Sequence, residues 1–258
     1  MADHVARRSG LTREAGLVPV AFGYFTRLPW PRAAVPSQEA LDQAIRYLPL
    51  VGIVIGGLMA LAFEVGARLW PLPVVAALVI GLGVLMTGGL HEDGLADFCD
   101  AFFTQRDRDG LFAIMKDPRL GTYGVLGLAL TLLLRFALLL ALAPARIAGA
   151  LVAAHAFSRL VTLVAMRALP YARSSDAAPK PASTPLGSGG AMIAGLCGFA
   201  PLALVGRPAA SAALAAVGTG VVIALLCQRR IGGYTGDCLG AIQQVSELAF
   251  YLGLLAWR

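Results

Sequence analysis

The chain has 258 residues, of which 58% are hydrophobic and 14% charged, with a mean hydropathy of +0.74 and a formal net charge of +6. Soluble domains carry about 25% charged residues, so the composition excludes an ordinary water-soluble enzyme and implies an all-α, polytopic integral membrane protein. The positive balance does not argue for nucleic acid, because no stripe of interleaved basic and aromatic residues accompanies it.

Residues 1–47 read as a cytoplasmic or interfacial segment. Arginines are spread through it, and its apolar run at 16–25 is short and holds Pro19, unlike a cleavable leader. A spanning helix needs roughly 20 apolar residues. Candidate spans lie at 48–69, 72–90, 123–142, 147–169, 191–205, 209–226 and 239–257, the fifth being short and containing Pro201. That makes about seven spans, or six. Residues 48–258 then form one bundle in a single 1–258 integral-membrane domain. Its longer polar connections are 91–122, 170–190 and 227–238. Fifteen of the 21 Lys and Arg residues fall on the side of these long loops and four on the short-turn side, with Arg135 and Arg159 inside spans. This bias places the N-terminus and the long loops in the cytoplasm. Cys99, Cys197, Cys227 and Cys238 show no paired spacing and read as reduced, apolar residues.

The loop at 89–124 (GLHEDGLADFCDAFFTQRDRDGLFAIMKDPRLGTYG) gathers six aspartates, a glutamate and a histidine in an otherwise apolar chain. Asp93, Asp97 and Asp100 follow i, i+4, i+7 spacing, which puts three carboxylates on one helix face. Like charges so placed call for a cation, and hard oxygen donors suit magnesium or manganese. Asp107 and Asp109 alternate with Arg106 and Arg108 and read as solvated bystanders. In MKDPRLGTYG, Lys116 and Arg119 are suited to phosphate, and Asp117 between them is a metal ligand or a general base. In QRRIGGYTGDCLG (228–240), Thr235 and Asp237 offer oxygens at the start of the last span, where a plain helix cap is the simpler reading. The Pro/Ser/Gly-rich 171–190 reads as a linker, with closure over a ligand as the alternative. Within the spans, His155 and Arg159 share a face, whereas Glu64, Arg135 and Glu247 stand isolated in sequence.

These stretches together resemble the cobalamin synthase family, the adenosylcobinamide-GDP ribazoletransferases. The carriers are FTRLP at 25–29, YLPLVGIVIGG at 47–57, TGGLHEDGLADFCD at 87–100, IMKDPRLGTYG at 114–124 and RRIGGYTGDCLGA at 229–241. Ala101 and Pro118 depart from the family pattern without removing a carboxylate. The resemblance implies a magnesium-dependent transfer in the cytoplasmic (inner) membrane, with the site facing the cytoplasm. A ribose hydroxyl of α-ribazole or its 5′-phosphate attacks the cobinamide-bearing phosphorus of adenosylcobinamide-GDP, and GMP leaves. In that assignment Asp93, Asp97 and Asp100 bind magnesium, Glu92 or Asp117 is the base, and Lys116 and Arg119 bind the diphosphate. Asp237 and Thr235 contact substrate. Homo-oligomers or association with other cobamide-assembly enzymes are also expected. One competing reading is a CDP-alcohol phosphotransferase, but its alanine–arginine pair after the first aspartates is missing. The other is a cation transporter, which predicts acids at mid-span in related halves rather than at a helix end.

Overall fold

In the computed structural model, residues 10–29, 37–173 and 186–256 are described, with side chains from residue 16 onward in the first helix. Eleven α-helices make up this part: α1 (Gly10–Phe25), α2 (Gln38–Ala44), α3 (Leu48–Gly66), α4 (Leu72–Thr87), α5 (Leu90–Phe102), α6 (Arg108–Ile114), α7 (Thr122–Ala141), α8 (Pro144–Ala168), α9 (Ser188–Phe199), α10 (Ala209–Ile231) and α11 (Gly236–Leu255). The all-α, membrane-spanning architecture is as the sequence implies. Most of the 171–190 loop lies outside the described residues.

Five helical stretches are long and apolar enough to cross a membrane, namely Gln38–Gly66, α7, α8, α10 and α11. A sixth span exists if α4 and α5 count as one, although they meet at a 90° bend. The segment expected at 191–205 is α9 followed by a 3-10 turn, Ala200–Leu204, at Pro201. It is too short to qualify with the others. The continuous span expected at 72–90 stops at Thr87. Gly88 and Gly89 both take left-handed backbone, with φ of +67° and +72°, a conformation that costs a residue with a Cβ and lets the chain turn sharply into α5.

The bundle has an inside and an outside. In α8 and α11, 78% of the apolar window is buried, against 28% in α7 and α10, so the first pair forms the centre and the second the rim. Leu126, Leu130 and Leu133 of α7 and Leu214, Val222 and Leu225 of α10 are exposed, as lipid-facing side chains are. Gly52 and Gly56, four apart on α3, sit against α8 so closely that a Cβ would meet the carbonyls of His155 and Leu151. This is the small-residue packing that helices use where no hydrophobic effect drives them together.

Candidate active site

α5 carries the acidic face, and its neighbours fix how each acid points. Gly94 lies against the backbone of Asp237 and Gly240, where a Cβ would come within 3.1 Å of the Asp237 Cα. The small residues in HEDGLADFCD thus bring the start of α11 onto α5. Asp97 has Asp237, Asp93 and Asp100 as its anionic neighbours, with the guanidinium of Arg173 opposing them. Four carboxylates from two helices converge here.

They do not converge equally. Both Asp100 oxygens accept backbone N–H groups at the start of α7, from Gly121 (2.7 Å) and Gly124 (2.8 Å). Asp100 therefore caps a neighbouring helix, satisfying donors that α7 cannot pair internally. Each oxygen of this expected third metal ligand thus already accepts one backbone N–H. Asp93 and Asp97 line a cavity of about 740 Å³ that also takes in Arg27, Lys116, Asp117 and Arg119. A second cavity of about 210 Å³ is lined by Asp93, Asp237, Arg173 and a set of aromatic and aliphatic side chains. Asp93 belongs to both.

The remaining predicted residues fall in different places. Asp117 binds Arg119 through both oxygens, with the shortest contact 2.6 Å from Nη2. That guanidinium and the Arg119 backbone N–H hold its carboxyl down at about 2. Thr235 is fully buried; it caps α11 by accepting the Cys238 N–H (3.3 Å), and its hydroxyl donates to Asp237 Oδ2 (3.2 Å). Arg173 holds the same oxygen at 3.1 Å. Thr235 thus sets the Asp237 carboxylate and does not itself line either cavity. Glu92 points the other way, into the bundle. It accepts from Gln244 Nε2 at 3.0 Å and lies 3.8 Å from Arg135 Nη1. Asp107, read as a bystander, caps α6 by accepting from Gly110 N at 3.0 Å. Among the described residues, no three His, Cys, Asp or Glu side chains are gathered closely enough to cage a metal ion by themselves.

Comparison with known proteins agrees with the motifs. Residues 18–255 match the family model described as cobalamin-5-phosphate synthase. The chain belongs to that family. It is 42% identical to the adenosylcobinamide-GDP ribazoletransferase of Leptothrix cholodnii, an alignment covering 96% of this chain and 98% of the relative. The equivalent protein of Shewanella baltica is 40% identical over 97% and 98% of the two chains, and that of Ralstonia nicotianae 41% over 92% and 94%. No solved structure matches.

For this cobalamin synthase family member, the sequence left out Arg27, Arg173 and the aromatic lining of the smaller cavity. Arg27 was legible only as part of FTRLP. Its backbone N–H donates to Met86 O (2.7 Å), and a Cβ on Gly88 would strike its side chain, so it is pinned at the α4–α5 bend. Arg230 donates to the carbonyls of Thr104 (3.0 Å) and Arg106 (3.3 Å) and ties α10 to the loop after α5. The isolated intramembrane charges are not isolated in space. Glu247 sits 3.4 Å from both Arg135 Nε and His155 Nδ1 and accepts from Gln243 Nε2 at 2.8 Å. Arg159 donates to His155 O at 3.0 Å. Glu64 is exposed near the end of α3.

Proposed function

We propose that this protein transfers the cobinamide phosphate of adenosylcobinamide-GDP to a ribose hydroxyl of α-ribazole, or of its 5′-phosphate, with release of GMP. The family match and the names of its relatives support the reaction. The observation that carries it to particular residues is the larger cavity, where Asp93 and Asp97 face Lys116, Arg119 and Arg27. Transfer from a diphosphate calls for cationic donors and for carboxylates able to hold a metal, and the lining of this cavity offers residues of both kinds.

Magnesium fits this donor set. It is commonly held by one or two carboxylates plus substrate phosphates and water rather than by an all-protein cage. Asp93 and Asp97 are the pair that would hold it, and the crowding of Asp100 and Asp237 around Asp97 favours a cation between them. A metal held there would supply charge neutralisation for the diphosphate and its leaving group. Lys116 and Arg119 act on the same oxygens, Arg119 after exchanging Asp117 for phosphate. Glu92 is committed to Arg135 and Gln244, and Asp117 is a weak base at about 2. Asp237, beside the smaller cavity and held by Thr235 and Arg173, is better placed to receive the hydroxyl proton. The charge bias of the loops supports a cytoplasmic position for this end of the bundle, on the face of the cytoplasmic membrane where GDP-linked substrates occur.

The test is GMP release by purified protein supplied with adenosylcobinamide-GDP, with and without α-ribazole and magnesium. Release that needs both is expected. Release without α-ribazole would indicate a hydrolase, and none under any condition would overturn the assignment.

A further inference from the structure

The two cavities that share Asp93 differ in kind, and that difference assigns them to different substrates. Along α5, His91 and Gly94 belong only to the smaller one, Ala96 and Asp97 only to the larger, and Leu90 and Asp93 to both. The larger is open and cationic on one wall through Arg27, Lys116 and Arg119. The smaller is walled by Tyr24, Phe25, Leu48, Met166, Tyr171 and Tyr234. The rings of Tyr171 and Tyr234 meet edge to face at 5.5 Å, and the two residues form a backbone bridge that fixes them as a pair. Thr162, also on the wall, donates its hydroxyl to Ser158 O at 2.9 Å, while Arg173 and Asp237 bind each other. Asp93 and His91 add polar groups from α5, and the rest of the lining is mostly aromatic and aliphatic.

We propose that the smaller cavity is the acceptor subsite, taking the base of α-ribazole between its aromatic walls and presenting the ribose to Asp237 and Asp93. This rests on the transferase reading above. The base is a methylated benzimidazole, bicyclic and without exocyclic polar groups. It suits walls made largely of rings and aliphatic side chains. At about 210 Å³ the cavity suits a base with part of its sugar, whereas pockets enclosing whole drug-sized ligands run to about 300–1,000 Å³. The corrin-bearing donor belongs with the larger, cationic space. The two sites then adjoin at Asp93, where the ribose oxygen forms its bond to the cobinamide-bearing phosphorus. The bond from that phosphorus to the GMP oxygen breaks, and the hydroxyl proton passes to Asp237.

Two substitutions on the cavity wall and one outside it test the assignment. Met166→Trp fills the smaller cavity from α8, and Tyr171→Ala removes part of its aromatic wall. Lys116→Gln alters only the larger. Both wall variants are expected to raise the KM for α-ribazole, and for its 5′-phosphate, by about tenfold or more, as loss of a base-stacking ring does elsewhere. KM for adenosylcobinamide-GDP should stay within about twofold, and Lys116→Gln should show the reverse pattern. Equilibrium dialysis of α-ribazole against protein without donor gives a readout free of turnover: the wild type binds and Met166→Trp does not. If Met166→Trp fails to fold, Tyr171→Ala, at a half-buried position, carries both measurements. A rise in the donor KM instead, or unchanged acceptor binding in a folded wall variant, overturns the subsite. Absence of GMP release from the wild type would strike at the transferase reading and leave the dialysis result to judge the cavity separately.

Discussion

At the scale of single residues, the three aspartates that share a face of α5 part company. Asp93 and Asp97 line the cationic cavity, while Asp100 spends both oxygens on the backbone N–H groups of Gly121 and Gly124. Asp97→Asn should lower GMP release by about 100-fold or more, as removal of a single preorganised electrostatic group does, and should raise the magnesium concentration needed for half-maximal rate. Asp100→Asn keeps one acceptor oxygen and loses the other. It should cost about 0.5–2 kcal/mol in thermal or denaturant unfolding, as cap losses do, with the magnesium requirement unmoved. Equal shifts in that requirement for the two variants would return Asp100 to the metal. Asp117 yields a prediction with a definite sign. Its carboxyl titrates at about 2, below its ordinary value, so the pair with Arg119 is intact above the unfolded pKa and is lost only as pH falls through the folded one. Both steps lie below a working range of about pH 5–8. A pH–rate profile of Asp117→Asn should therefore keep the acidic limb of the wild type, whereas a base at Asp117 would move it.

At the scale of elements, what the sequence revealed and what it hid follow one physical distinction. Apolar length is a local property, so α3, α7, α8, α10 and α11 were all legible as spans, and the short fifth candidate already carried its warning in Pro201. The bend after α4 was not, because GG in an apolar run does not reveal that both glycines take positive φ. The acidic face of α5 was legible from its spacing, but which acids face substrate depends on α7 and α11, whose partners are far off in sequence. Asp100 and Gly121 are 21 residues apart, and Arg173 and Asp237 are 64. Glycine roles are hidden in the same way. Gly52 and Gly56 could be any small residues on a membrane helix until α8 is laid against them. There a Cβ at Gly56 would stand 2.6 Å from Leu151 O, an obstacle of rigid backbone. Gly56→Leu should therefore push α3 from α8 and destabilise the protein by about 1–3 kcal/mol or more, read as a lower melting temperature in detergent. Gly57→Leu, one position on, where nothing lies within 4 Å, should leave that temperature nearly unchanged.

At the scale of the whole molecule, four helices are joined by charge inside the bundle. Glu92 comes from α5, Arg135 from α7, His155 and Arg159 from α8, and Gln243, Gln244 and Glu247 from α11. Two glutamates and two arginines balance. The cluster begins at Glu92, next in sequence to Asp93, so the helix that carries the cavity-lining acids is held from behind by the same groups that hold the core together. Charge at such depth is costly unless matched, and breaking a buried pair costs about 3–5 kcal/mol because the partner is left uncompensated. Arg135→Leu leaves Glu92 and Glu247 facing Arg159 alone and should lower stability by about that amount, seen as a large drop in melting temperature. Adding Glu247→Leu restores the balance of one glutamate to one arginine, and the double variant should melt above the single one despite having lost a further native side chain. Additive losses in the double variant would show instead that packing, and not charge matching, sets the contribution of this cluster.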